Sequence, residues 1–232
     1  MKISIQSLHR RSPVHDCLER MNPVWGEVQG MLVALRCAEQ EAESTSKGKM
    51  ALSDVSCLPR MGLKGAGVVT WLKSQGLSVP EPIYAVAPLE DEGMLARVDS
   101  QEVFLEDGPQ GRVISQLQDQ LSAGPSMVYQ VPHHEASFLI CGIGANKVLN
   151  ETCGYDFQES KICLVMTQLA GVSCRLLRVH IAGIIGYRIW VDPSYSVYLW
   201  ETLLEIIREH GGDVVGLNCF YLSLPSVNIT KG

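Results

Sequence analysis

Hydrophobic positions along this chain come in short runs, and their spacing switches between the helical period and strict alternation. Residues 1–21 show no sustained pattern and are expected to form an irregular lead-in. Behind Asn22-Pro23, the residues Val24, Val28, Met31, Leu32 and Leu35 fall on one face at helical spacing. They predict a first helix with Pro at its opening position. Glu39 to Lys49 has no large apolar residue and predicts an exposed linker. Gly65 to Gln75 predicts a helix with Val68, Trp71 and Leu72 inward and Gly76 as its left-handed end. A turn at Ser78–Pro82 leads to three expected antiparallel strands, Ile83–Ala87, Met94–Val98 and Glu102–Glu106. Gly111 to Ala123 returns to the helical period, with Ile114, Leu117 and Leu121 in register and Gly124-Pro125 beyond the end.

A similar set follows. Met127–Val131 and Ser137–Cys141 read as strands, Ala145–Cys153 as a helix stopped by Gly154, and Cys163–Thr167 as a short strand or irregular run. Val172–Ile181 and Tyr187–Val191 are rich in β-branched residues and predict paired strands. Asp192-Pro193 caps the longest expected helix, Pro193–His210, with Val197, Trp200, Leu203, Leu204 and Ile207 as its core face. Asp213–Leu222 reads as a last strand and Pro225–Gly232 as a tail.

Two successive strand-and-helix sets predict an α+β fold of two subdomains, each an antiparallel sheet with helices on one face. The expected boundaries are an N-terminal extension and linker over 1–49, a module over 50–222 that divides at about 125/126, and a tail over 223–232. A doubly wound parallel sheet would need longer, continuously apolar strands.

Composition narrows the function. With 46% apolar and 19% charged residues, the chain has the balance of an ordinary globular protein. A formal charge of −6 argues against a nucleic-acid partner, and His9-Arg10-Arg11 is too short to act as a phosphate-binding patch. The N-terminus lacks the apolar core of a secretory signal, and no run reaches membrane-spanning length. None of the eight cysteines forms a C-x-x-C pair, so reduced buried thiols in a cytoplasmic protein are expected.

Local chemistry is sparse. Gly62-Leu-Lys-Gly-Ala-Gly67 fails both nucleotide-loop fingerprints and reads as a packing element. His133 and His134 are adjacent and so point apart on a strand, which gives no metal site; His180 and His210 have no evident partner in sequence. Asp91, Glu92, Glu102, Glu106 and Asp107 read as solvated turn acids. No nucleophile elbow is present, and no metal-ligand set or catalytic residue is assigned.

Two stretches carry a family resemblance. Leu52-Ser-Asp-Val-Ser56, followed by Arg60 and a Gly-initiated helix from Gly65, and Gly186-Tyr-Arg-Ile-Trp-Val-Asp-Pro-Ser-Tyr-Ser-Val-Tyr-Leu-Trp-Glu-Thr-Leu-Leu204 resemble the folate-binding module of the aminomethyltransferase family. Within that family they sit nearest the gamma subunits of heterotetrameric sarcosine oxidases. The resemblance implies tetrahydrofolate as the cofactor of active members, held by acids. Here Ala96 and Arg97 stand on the strand where the family keeps acidic residues, and Arg188 stands where Gly-Phe/Tyr-Glu-Ile/Leu has its pterin-holding Glu. No segment matches the further β-barrel domain of the longer members, nor the Lys-Gly-Cys-Tyr-x-Gly-Gln segment of the iron–sulfur-repair branch. The resemblance therefore implies a non-catalytic subunit or binding module that contacts larger redox subunits, with Arg97, Tyr187 and Arg188 as candidate cleft residues. The alternative is a tetrahydrofolate-dependent one-carbon transferase or folate binder. A third reading has Arg97 and Arg188 gripping a carboxylate.

Overall fold

The computed structural model describes residues 10–157, 163–221 and 224. In chain order its elements are β1 (Arg10–Arg11), α1 (His15–Glu19), β2 (Val24–Val28), β3 (Met31–Arg36), α2 (Gln40–Lys49), β4 (Ala51–Asp54), β5 (Arg60–Lys64), α3 (Val68–Ser74) and β6 (Val86–Pro88). There follow β7 (Met94–Asp99), β8 (Glu102–Glu106), α4 (Arg112–Leu121), β9 (Tyr129–Val131), β10 (Ala136–Cys141) and α5 (Ala145–Thr152). The series closes with β11 (Leu164–Leu169), β12 (Val172–Ile181), β13 (Ile184–Val191), α6 (Ser196–Glu209) and β14 (Asp213–Val214). The fold is α+β, as the alternating periods predict. The expected tail over 225–232 lies outside the described residues.

The chain divides into two compact units, but not at residue 125. One unit gathers residues 1–57, 135–160 and 166–232; the other holds 58–134 and 161–165. The reason is strand pairing. Ala51–Cys57 does not stay with the sequence that follows it, because β4 pairs antiparallel with β10, Leu52 opposite Ile140 and Asp54 opposite Phe138.

The first unit is built on a six-stranded sheet in the order β11-β12-β13-β10-β4-β14. The pairs β12–β13, β13–β10 and β10–β4 are antiparallel, and β14 lies parallel to β4. Side chains alternate between the faces of a strand. Phe138 on β10 meets Trp200 of α6 edge to face, with ring centroids 5.2 Å apart, so its face packs on that helix. Trp200, Leu203, Leu204 and Ile207 of α6 are buried as their spacing predicts, and Leu199 joins them. Val197 does not: it is 43% exposed, since its position on the first turn points off the sheet. The cap is as read, with Asp192 Oδ1 accepting from the Ser194 backbone N–H at 2.9 Å.

Three expectations for this unit are overturned. The predicted helix behind Pro23 is instead the hairpin β2–β3, turned by Gln29 (φ 51°) and Gly30 (φ 71°). Two successive positive φ values make the tight turn that matches strand twist, and glycine favours the second position. Helical spacing was coincidental: all of Met31–Leu35 is buried, as expected of a strand covered on both faces. A side chain at Gly26 would overlap Leu35, which explains the small residue there.

The expected linker is the helix α2, polar along its length and short enough to be marginal alone. It is held by Glu43, 4% exposed. Glu43 Oε1 accepts from the backbone N–H of Cys37 (2.6 Å), Ala38 (3.3 Å) and Gly216 (2.9 Å), and Oε2 accepts from the Cys219 thiol (3.4 Å). Lys47 Nζ donates to the Cys219 carbonyl at 2.9 Å. The expected strand Asp213–Leu222 survives only as β14; a 3₁₀ turn at Leu217–Cys219 follows, and Leu222 is outside the described residues.

The second unit carries an antiparallel sheet in the order β6-β7-β8-β5-β9. Met61, Leu63, Leu95, Val103 and Leu105 form one face and pack with Val68 and Leu72 of α3 and Val113, Ile114 and Leu117 of α4. Leu77 N–H returns to the Leu72 carbonyl at 3.1 Å beside Gly76 (φ 82°), which closes α3 as predicted. Among the described residues, no helix is long and apolar enough to cross a membrane.

Two stability outcomes follow. Leu203→Ala, fully buried on α6, should lower unfolding free energy by ~2–5 kcal/mol in chemical denaturation, and an unchanged curve would mean α6 is not core. Glu43→Ala strands several buried N–H donors at ~1–3 kcal/mol each, whereas Glu43→Gln keeps an acceptor oxygen. Thermal unfolding should rank wild type above Gln and Gln above Ala. Two variants of equal midpoint would show that Glu43 does not hold the node.

Candidate functional site

The strand β13 carries both Tyr187 and Arg188, and alternation sends them to opposite faces. Tyr187 pairs across to Ile140, while Arg188 pairs to Leu139, which in turn pairs to Ser53. Tyr187 is fully buried on the face that meets the helices. Its hydroxyl bonds Asn146 Oδ1 of α5, and its ring lies 5.4 Å from Phe157, whose own ring is 4.7 Å from Tyr155. Burial pushes its phenol pKa up. Tyr187 is therefore a core residue and not a partner of Arg188 on one surface, which corrects the reading that grouped them.

Arg188 occupies the other face. It is 3% exposed, and its Nη2 donates to the Tyr221 hydroxyl at 2.9 Å. On the same face lie Trp190 and Ser137, directly paired, and Arg175 opposite Trp190, whose guanidinium pairs with Glu135. Ser53, one strand beyond Leu139, is also buried. This face thus collects two guanidinium groups, an indole and hydroxyls. It is rich in donors, and Arg188 contributes only donors.

Arg97 belongs to the second unit and has a different task. Its guanidinium donates to four backbone carbonyls: Pro80 (3.2 Å), Glu81 (3.1 Å), Asp99 (3.3 Å) and Ser100 (2.9 Å). It ties the irregular stretch before β6 to the turn after β7. A side chain so engaged is a fastener and not an open grip for a carboxylate. Ala96 is fully buried, paired opposite Phe104.

The acids read as solvated turns divide. Glu106 ends β8, a central strand, and Asp107 directly follows it, so both are buried. Glu106 lies 3.8 Å from the Arg60 guanidinium, and both side chains are almost inaccessible. Asp107 accepts from Gly108 N–H at 2.8 Å and Ile114 N–H at 2.9 Å, fixing the start of α4. Local sequence gives no sign of this burial; the central place of β8 gives it.

The remaining motifs are packing devices. Gly65 N–H donates to the Gln101 carbonyl (2.9 Å) and Gly67 N–H to the Met127 carbonyl (3.1 Å), so neither amide is offered to a phosphate. Side chains at either glycine would overlap the backbone of Ser126–Met127. His133 lies over Gly62 and meets Phe104 at 4.9 Å, while His134 is exposed. His210 Nε2 contacts Glu151 at 2.7 Å. All eight cysteines are free thiols. Burial raises the pKa of Cys141, Cys174 and Cys219 to about 12 and lifts Cys37 and Cys17 as well, so these sulfurs stay protonated and unreactive at neutral pH.

Residues 84–224, more than half of the chain, match the family model described as the GCVT N-terminal domain. The chain belongs to this family. Among curated relatives, the aminomethyltransferase of Alkaliphilus metalliredigens (strain QYMF) is 29% identical over 92 residues, 39% of this chain and 25% of that protein. That of Thermoanaerobacter sp. (strain X514) is 30% identical over 84 residues, 35% of this chain and 23% of that protein. The matched stretch thus spans about a quarter of these relatives' length. Two solved structures share the fold at 18% identity. One is the glycine cleavage system aminomethyltransferase T from Bartonella henselae, with a TM-score of 0.71, covering 92% of this chain and 61% of that one. The other is a heterotetrameric sarcosine oxidase from Corynebacterium sp. U-96 in complex with pyrrole 2-carboxylate, with a TM-score of 0.63, covering 88% and 97%.

The buried thiols set an alkaline limit. Their folded pKa values lie above the ordinary value of 9.0, so the neutral-thiol contribution is complete below pH 9 and is lost as pH rises towards 12. Thermal midpoints should be unaffected by these thiols up to pH 9 and fall above it. Cys141 and Cys174 should resist a maleimide at pH 7 until denaturant is added; rapid labelling of either in the native protein would contradict their burial.

Proposed function

We propose that this chain is a non-catalytic member of the family, an aminomethyltransferase-like subunit or binding module acting through protein contacts, as a subunit of a heterotetrameric sarcosine oxidase does. One observation carries the reading. At the position where the family resemblance expects a Glu to hold the pterin ring, the chain buries Arg188. A carboxylate there accepts hydrogen bonds from the guanidine-like edge of the pterin. A guanidinium offers only donors, and two donor edges facing each other leave buried groups unsatisfied at ~1–3 kcal/mol each. Tyr221, Trp190 and Arg175 on the same face supply no carboxylate in its place, and Glu135 is engaged by Arg175. In the second unit, the strand expected to bear acids has Ala96 in the core and Arg97 tied to backbone carbonyls.

The partners this reading expects are larger subunits of a redox enzyme, in amine or one-carbon metabolism. The cytoplasm is the compartment that reduced thiols favour. Tetrahydrofolate enters only through the family resemblance. A positively charged, donor-rich sheet face would prefer an anionic group to a pterin edge.

Calorimetry with tetrahydrofolate tests the reading. Wild type should show no binding in the micromolar range. Arg188→Glu, checked first for a native thermal midpoint, should bind more tightly than wild type if the rest of the folate pocket persists. Micromolar binding by wild type would defeat the non-catalytic reading and establish the tetrahydrofolate-dependent transferase or folate binder in its place.

A further inference from the structure

A second site of a different kind lies on the short helix α1. His15, Asp16 and Glu19 stand at i, i+1 and i+4, so His15–Glu19 and Asp16–Glu19 are both neighbours on the helix surface. Each offers one ligand atom, and these atoms all lie within 4.8 Å of one another. The two carboxylates are exposed, but His15 is not: its side chain is 95% buried, being 5% exposed. Its ring is held against Trp25 of β2, centroids 4.7 Å apart, and its Nδ1 is buried with no hydrogen-bond partner. A buried ring with an unpartnered nitrogen is a costly arrangement unless something completes it, and one nitrogen of this ring lies within reach of both carboxylates.

We propose that His15, Asp16 and Glu19 form a binding site for one divalent transition-metal ion of the zinc class. The donor set is one imidazole nitrogen and two carboxylate oxygens, which suits zinc and its first-row neighbours and leaves a position for water. Ligands must approach to ~2.0–2.2 Å of zinc, and the exposed Asp16 and Glu19 side chains have the rotamer freedom to close in on the fixed ring. The bound ion would clamp α1 to the hairpin strand that carries Trp25, and this role is independent of the sheet face that holds Arg188.

Cobalt(II) is the probe, because its spectrum separates this site from the free thiols. Wild type should take up one cobalt ion per chain, with weak visible bands and no sulfur-to-cobalt charge-transfer band in the near ultraviolet. Zinc should displace it and raise the thermal midpoint. Asp16→Asn and Glu19→Gln change exposed side chains and should stay folded, yet bind at least ~10-fold more weakly, since even outer-shell changes around a metal cost that much. Asp119→Asn, an exposed acid elsewhere, should bind like wild type. Absence of saturable uptake, a charge-transfer band, or unaltered binding by the Asp16 and Glu19 variants would each overturn the site.

Discussion

The registry of β10 between β13 and β4 is the constraint on which the first unit depends. Six consecutive pairings from Ala136–Val191 to Cys141–Gly186 leave no freedom in which residues of β13 face the helices. A slip of one residue would bring Arg188 onto the side of Trp200 and Phe138 and turn Tyr187 away from Asn146. The sheet thus has one face that packs α5 and α6 through aromatic and aliphatic contacts, and another that gathers Arg188, Arg175, Trp190 and Ser53. On the second face a guanidinium is enclosed beside the Tyr221 hydroxyl, and it offers donors alone.

How much was legible in sequence depended on whether the cause was local. α4 and α6 announce themselves because Ile114 and Leu117, or Trp200, Leu203, Leu204 and Ile207, recur at the period the helix itself imposes. β8 and β12 show runs of β-branched and large apolar residues between turns. The hairpin β2–β3 is not legible from periodicity, because Val24, Val28, Met31 and Leu35 also satisfy helical spacing. Only the Gln29-Gly30 turn distinguishes the two, and glutamine is not a usual residue for its first position. α2 has no local reason to be a helix; Glu43 stabilises it by capturing donors that lie 5 and 6 residues before it and 173 after it.

The site divides in the same way. Arg188 could be singled out by motif, because its neighbours Gly186 and Tyr187 fix its place in the pattern. Its burial, and the separation of Tyr187 onto the other face, required only the knowledge that the segment is a strand. Arg97 could not be interpreted from its position, since its four carbonyl partners come from two turns. Glu106 and Asp107 looked like surface acids because nothing nearby says that β8 is central. The spacing of His15, Asp16 and Glu19 becomes meaningful only once that stretch, read as irregular, is known to be helical.

The Glu43 node has a consequence for how the molecule is made. Its donors come from residues 37, 38, 216 and 219, so the node cannot close until nearly the whole described chain has left the ribosome. The second unit draws almost all of its residues from the single stretch 58–134. Local contacts form faster than those spanning long loops, and domains emerging early fold early. The contacts that fix α2 through Glu43 to residues 216 and 219 must therefore wait while residues 58–134 fold ahead of them. During synthesis, α2 emerges before residues 58–134 yet is secured after them, and that interval is when a nascent chain of this kind most needs a chaperone.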